Sequence, residues 1–150
     1  MLGKVITVLH VDDEEDYLDI VKLYLESLNG NFHVDTVSSA EKALDLLQLR
    51  DYDVIISDHQ MPVITGLELL EKLRKQGNDV PFVVLAGKNG EDTIKHFKKL
   101  GAGLLLRKNS DPNTLFDELY EFISREFDLK QEQNTRRESK PGSDQPTTIK

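Results

Sequence analysis

Five short apolar runs, at residues 5–11, 32–37, 54–57, 82–86 and 104–106, limit the fold more than any other feature of the chain. Most are continuous rather than alternating and are rich in Val, Ile and Leu. Strands buried on both faces, as in a parallel sheet, have this pattern. Helical spacing separates and follows the runs. Tyr17, Leu18, Val21, Leu25 and Leu28 form one apolar face, and Ala40, Ala43, Leu44 and Leu47 a second. Ser38, with Glu41 three residues on, reads as a capping box for that second helix. Leu67, Leu70 and Leu73 form a third face, and Ile94, Phe97 and Leu100 a fourth that Gly101 stops. Asp111-Pro112 opens a fifth helix as N-cap and first-turn proline. It carries Leu115, Phe116, Leu119, Phe122, Ile123 and Phe127. Five alternations of strand and helix predict a doubly wound α/β fold with right-handed crossovers, without fixing the strand order.

The 150 residues, 38% of them hydrophobic, suit one core. From Gln131 apolar residues almost vanish, so the expected organisation is a domain over 1–129 and a disordered tail or linker over 130–150. Cysteine is absent, which excludes disulfides and thiolate metal sites. No apolar run approaches the roughly 20 residues that span a bilayer. Met1-Leu2-Gly3-Lys4 leads straight into a strand-like run without signal-peptide character, so a cytoplasmic location is expected. The net charge, 19 − 27 = −8, disfavours nucleic acid, and Arg136-Arg137 is too small a patch to reverse that. A protein or small-molecule partner is expected instead.

Doubly wound sheets build their sites at the carboxyl ends of strands. There this chain places Asp12-Asp13-Glu14-Glu15-Asp16 after the first run and Asp58 after the third. Ala86-Gly87-Lys88 follows the fourth and Arg107-Lys108 the fifth. Acidic residues at a helix start also complement its dipole, and an Asp closing a strand is often a turn former. All four features at strand ends together favour a site. Clustered carboxylates repel, and a hard divalent cation removes the conflict. Oxygen-only ligands suit Mg²⁺. Mg²⁺ beside a lysine suits phosphate, and a carboxylate nucleophile can form an aspartyl phosphate.

These residues resemble the response-regulator receiver domain family. Val11-Asp12-Asp13-Glu14 is similar to its acidic pocket. Asp58-His59-Gln60-Met61-Pro62, with Gly66 beyond, is similar to its phosphoacceptor loop. Gly101-Ala102 followed by Lys108 is similar to its last strand and lysine. The resemblance covers residues 4 to 127. Ala86-Gly87-Lys88, with Asp111-Pro112, looks most like receivers of methanogenic archaea. The resemblance implies a flavodoxin-like (βα)5 fold with strand order 2-1-3-4-5. It implies that Asp58 accepts the phosphoryl group from a sensor histidine kinase or phosphotransfer protein and that the signal passes to a downstream protein. Asp13 would bind Mg²⁺ directly, Asp12 through water, Asp58 as a ligand and Gln60 by its backbone carbonyl. Lys108 would pair with Asp58 at rest and with the phosphoryl oxygens afterwards, joined by the Gly87 backbone N–H. Such a chain is a signalling module that catalyses only its own phosphorylation and dephosphorylation.

Three positions depart from the family. Its usual Thr or Ser at the end of the fourth strand is Ala86, its aromatic in the fifth strand is Leu105, and its Pro after the lysine is Asn109. The first two are the family's switch pair. Without the hydroxyl, a bond to a charged group worth roughly 1.5–3 kcal/mol is lost. Phosphorylation is expected to survive, with an altered readout. Asn109 can follow a trans peptide without penalty.

The remaining candidates rank lower. His59 is expected to point away from Asp58 into surface or loop packing, and His10 to be a satisfied, partly buried histidine. His33 and His96 show no ligand spacing. Lys88 reads either as a solvated loop lysine or as added charge near the phosphoryl group. Tyr120 and Phe127 could exceed what one sheet face covers, marking a partner or homodimer surface. Gly87-Lys88-Asn89-Gly90 lacks the P-loop spacing. Two rival functions are a phosphorylation-independent pseudo-receiver, prompted by Ala86 and Leu105, and a phosphatase of the haloacid-dehalogenase type. The phosphatase pattern needs a second Asp where Gln60 stands, and the chain has no room for a cap domain.

Overall fold

Each apolar run becomes a strand in the computed structural model, which describes residues 5–28, 31–87 and 91–139. The strands are β1 (Ile6–Val11), β2 (Phe32–Val37), β3 (Val54–Asp58), β4 (Phe82–Ala86) and β5 (Leu104–Arg107). Between and after them run α1 (Glu15–Glu26), α2 (Ala40–Leu49), α3 (Gly66–Lys75), α4 (Glu91–Lys99) and α5 (Pro112–Ser139). The sheet order is β2-β1-β3-β4-β5, with every neighbouring pair parallel. This is the order that the family resemblance implied.

Residues on the two faces of the sheet explain the continuous apolar runs. On one face Ile6, Val8, Val54, Ile56, Val83, Leu85 and Leu106 pack with Val21 and Leu25 of α1 and with Leu115, Leu119, Phe122 and Ile123 of α5. On the other, Leu9, Val11, Ile55, Phe82 and Val84 pack with α2, α3 and Phe97 of α4. β3 and β4, with neighbours on both sides, are buried at every residue. The edge strand β2 alternates instead, and α1 guards it. The Val34 N–H donates to the Glu26 carboxylate at 2.9 Å, and the Lys22 ammonium donates to the Val34 carbonyl at 2.7 Å. Capping free edge groups in this way blunts strand addition.

Several local expectations shift. The N-cap of α2 is Ser39, not Ser38, and its hydroxyl accepts from the Lys42 N–H at 3.2 Å. The capping box sits on α3, where Thr65 and Glu68 satisfy each other's backbone N–H. Asp111 caps α5 as expected, accepting from the Thr114 N–H at 3.1 Å. That helix continues to Ser139, so the stretch set apart at residue 130 begins as helix. Lys, Gln, Glu and Arg dominate there, and these residues favour helix without needing a core. Residues 140–150 lie outside the described residues. Tyr120 and Phe127 are half-buried and packed on the α1/α5 core, with Tyr120 6.0 Å from the Phe32 ring, so they do not form an exposed aromatic patch.

His10 is neither partly buried nor satisfied. It is fully buried, and among the described residues neither ring nitrogen has a hydrogen-bond partner. Burial, with the nearby Lys108 charge, pushes its pKa down to about 3, so the ring is neutral.

Among the described residues, one carries backbone strain. Val63, in the loop after β3, has φ 70° and is 80% exposed. A β-branched residue in this region is an outlier that costs of order 1–3 kcal/mol. Its side chain buries too little to repay that. Val63→Gly is therefore expected to raise stability by about 1 kcal/mol, after the entropic cost of glycine. Urea unfolding would measure it, and an unchanged or lower midpoint would refute the strain.

Candidate functional site

Parallel strands that end together bring their terminal residues into one crevice. β1 ends just before Asp12 and Asp13, β3 ends on Asp58, and β5 ends just before Lys108. One carboxylate oxygen from each of Asp12, Asp13 and Asp58 lies within 4.8 Å of the others. Asp12 is fully buried, Asp58 is 6% exposed, and Asp13 faces solvent.

Local contacts fix each acidic side chain or the loop that carries it. The Glu14 backbone N–H donates to Asp12 Oδ1 at 2.9 Å, turning that carboxylate back over its own chain. Behind Asp58, the Ser57 hydroxyl donates to the Asp58 carbonyl at 2.9 Å, and the His59 N–H donates to the Leu85 carbonyl at 3.0 Å. Gly66 closes the loop by donating its N–H to the His59 carbonyl at 2.7 Å. A Cβ at Gly66 would stand 2.3 Å from the Asp58 carbonyl oxygen, a backbone contact that cannot give way. This close approach is the physical reason for glycine in the Asp58 loop.

Lys108 reaches across the crevice from β5. Its ammonium lies 2.7 Å from Asp12 Oδ2, 2.7 Å from Glu14 Oε1 and 3.4 Å from Asp58 Oδ2. The expected pairing with Asp58 is therefore the longest of three, and Asp12 and Glu14 hold the lysine more closely. The same ammonium sits 4.7 Å from the centroid of the Tyr17 ring. Tyr17 and Ser57 are not assigned to the site from sequence, and Glu14, though part of the run that resembles the acidic pocket, is given no role of its own there. Glu14 was one acid in a string of five, Tyr17 read as part of an apolar stripe, and Ser57 read as a strand residue.

The remaining predicted positions lie at the same end of the sheet. Among the described residues, nothing donates to the Gln60 backbone carbonyl, and the Gly87 N–H has no acceptor. The Gly87 carbonyl accepts from Arg107 at 3.1 Å. Ala86 is buried at the end of β4, and its carbonyl accepts from the Lys108 N–H at 2.8 Å. Leu105 is half-buried and packed on the α2–α4 side of the core. His59 turns from Asp58 to meet Phe97 of α4 edge-on, with ring centroids 5.1 Å apart. No cis peptide occurs among the described residues, so Asn109 follows a trans bond. Lys88 lies outside the described residues.

The charges do not balance. Burial raises the Asp58 carboxyl pKa, the Asp12 charge raises it further, and Lys108 only partly opposes them, leaving it at about 6. Burial also raises Asp12, despite its contact with Lys108. Burial works to lower the Lys108 ammonium, but its close contacts with the Asp12 and Glu14 carboxylates outweigh that and raise it. The pocket thus holds more negative charge than its lysine offsets. The donor set fits Mg²⁺: three carboxylate oxygens within 4.8 Å and a nearby backbone carbonyl that no described group uses.

A pH test follows from Asp58. Its folded-state pKa lies above the ordinary 3.8, so the native protein binds this proton more readily than the unfolded chain. That contribution is complete below pH 3.8 and is lost as pH rises through about 6. Asp58→Asn should therefore be more stable than the parent at pH 7.5, by about 1–3 kcal/mol without Mg²⁺. The advantage should shrink towards pH 4. Chemical denaturation across this range checks it, and a constant difference would refute the raised carboxyl.

Comparison with known proteins agrees with the geometry. The family model for the response regulator receiver domain matches residues 8–120. The chain is 31% identical over 117 residues to the response regulator SaeR of Staphylococcus aureus, covering 78% of this chain and 50% of SaeR. It thus spans about half the length of that relative. The chemotaxis response regulator CheY4 of Vibrio cholerae superposes with a TM-score of 0.70 at 31% identity, over 79% of this chain and 98% of CheY4. A CheY-like receiver domain protein from Methanospirillum hungatei gives a TM-score of 0.74 at 22% identity, over 84% and 99%, a likeness of fold alone. The acidic crevice at the strand ends and the match over most of the chain agree, and the chain belongs to the response regulator receiver domain family of two-component signalling.

Proposed function

We propose that this receiver accepts a phosphoryl group on Asp58, with Mg²⁺ bound by the acidic pocket. The observation that carries the reading is the pocket itself. Asp58 sits almost buried, with the Asp12 and Asp13 carboxylates within 4.8 Å and the Lys108 ammonium at 3.4 Å. With a pKa of about 6, Asp58 is mostly ionised near neutral pH and can act as a nucleophile.

The donor would be a phosphohistidine on a sensor histidine kinase or phosphotransfer protein. An Asp58 carboxylate oxygen forms the new O–P bond as the P–N bond to the donor imidazole breaks. The electron pair leaves with the imidazole, which takes a proton. Asp12, Asp13, Asp58 and the Gln60 carbonyl would hold the metal. When bound, Mg²⁺ supplies positive charge against the phosphoryl oxygens. Lys108 adds a second positive charge, and the Gly87 N–H can donate to a phosphoryl oxygen.

The output is less conventional. Ala86 has no hydroxyl to offer the phosphoryl group, and Leu105 fills its place in the core without an aromatic ring. The signal to a downstream protein would pass through some other rearrangement. The same two residues support a second reading, a protein-binding module that works without phosphate. Either way we read the chain as a signalling module of the cytoplasm and not as an enzyme acting on a separate substrate, with proteins rather than DNA as partners. No described helix is long and apolar enough to cross a membrane.

Incubation with phosphoramidate and Mg²⁺, followed by intact mass, separates the two. We expect a Mg²⁺-dependent gain of one phosphoryl group that hydroxylamine removes and Asp58→Ala abolishes. Labelling that persists in Asp58→Ala would refute the site. No labelling of the parent would favour the phosphate-independent module.

A further inference from the structure

Lys108 carries its charge on a flexible four-carbon stem, which loses rotamer entropy when the ammonium is held at one point. Its neighbours differ in how well they can hold it. Asp58 at 3.4 Å lies beyond the roughly 2.7–2.9 Å of a strong charge-assisted bond. Glu14 is closer, at 2.7 Å, but its side chain is 64% exposed, and solvent weakens such a pair. Asp12 is close and buried, but its carboxylate also belongs to the metal-binding set. The backbone at Lys108 is fixed by its N–H donating to the Ala86 carbonyl at 2.8 Å and by the Ser110 N–H donating to the Arg107 carbonyl at 3.0 Å, but these bonds do not reach the ammonium.

The remaining neighbour is not a carboxylate. Tyr17, in the first turn of α1, places its ring face 4.7 Å from the Lys108 ammonium. The buried His10 ring meets Tyr17 edge-on at 6.2 Å and backs it from β1. The ring is half-buried and packed against the α1/α5 core. Among the described residues, the Tyr17 hydroxyl makes no hydrogen bond, so the ring face is what it offers. An aromatic face attracts a cation through its quadrupole, and the attraction grows as water is excluded.

We infer that Tyr17 is a positioning residue for Lys108, its ring face holding the ammonium over the pocket independently of the three carboxylates. The consequence for phosphoryl transfer rests on the phosphoacceptor reading of Asp58, whereas the contact itself does not. Simple packing would ask only for apolar bulk at residue 17. A cation-holding role asks for an aromatic face, so Phe should serve and Leu should not.

The test uses the full chain and the variants Tyr17→Phe and Tyr17→Leu, with backbone amide spectra as the control for folding. Without Mg²⁺, the ε-methylene protons of Lys108 should show an upfield ring-current shift and restricted motion in the parent and in Tyr17→Phe. In Tyr17→Leu they should move to the position of a solvated lysine and become mobile. With Mg²⁺ and phosphoramidate, Tyr17→Phe should label within twofold of the parent. Tyr17→Leu should label more slowly by roughly threefold to thirtyfold. Lys108 signals unchanged in Tyr17→Leu would overturn the proposal, as would Tyr17→Phe behaving like Tyr17→Leu. Should the parent take no label, the Asp58 reading fails, and the methylene signals alone still decide whether Tyr17 positions Lys108.

Discussion

Asp12 and Asp58 lie almost without solvent at the carboxyl ends of neighbouring strands, and their negative charges repel. Neither position can be relieved by moving the chain. Each aspartate is tied to a strand from the centre of a five-stranded sheet, packed on both faces. The repulsion is therefore held in place by the burial of the hydrophobic core. Lys108 offsets part of it from β5, and burial, with the repulsion that remains from Asp12, raises the Asp58 carboxyl. A pocket with surplus negative charge and oxygen donors is suited to a divalent cation, and with that cation to a phosphoryl group.

The strands and their parallel arrangement were legible because β3 and β4 are buried on both faces and so must be continuous apolar runs. The acidic residues were legible because strand ends in such folds converge by construction. Strand order was not legible from pattern, which says nothing about which strand lies beside which; the family resemblance supplied it. Side-chain reach was not legible either. Lys108 had been paired with Asp58, but its ammonium stops closer to Asp12 and Glu14. The ring of Tyr17 was hidden in the apolar stripe of α1, since a helical period marks the buried side and not what else touches it. His10 read as an ordinary partnered histidine because sequence gives no sign of how completely β1 is covered.

Under the proposed function, Ala86 and Leu105 bear on the readout rather than on the acidic pocket. Ala86 is buried at the end of β4, and Leu105 belongs to the packed α2–α4 side of the core. Neither contributes to the contacts that hold Asp12, Asp58 or Lys108 in place by side-chain hydrogen bonding. In that reading, the side chains that would report the pocket's state are distinct from those that assemble it.

Calorimetric titration of Mg²⁺ into the unphosphorylated protein tests most directly whether the surplus charge is a metal site. We expect one saturable site at pH 7.5, weakened as pH falls through about 6 and Asp58 takes up its proton. In Asp13→Asn, which removes an exposed ligand without disturbing the core, affinity should fall roughly tenfold or more. Saturable binding of equal strength in the parent and in Asp13→Asn, or none in the parent, would contradict the assignment of the pocket.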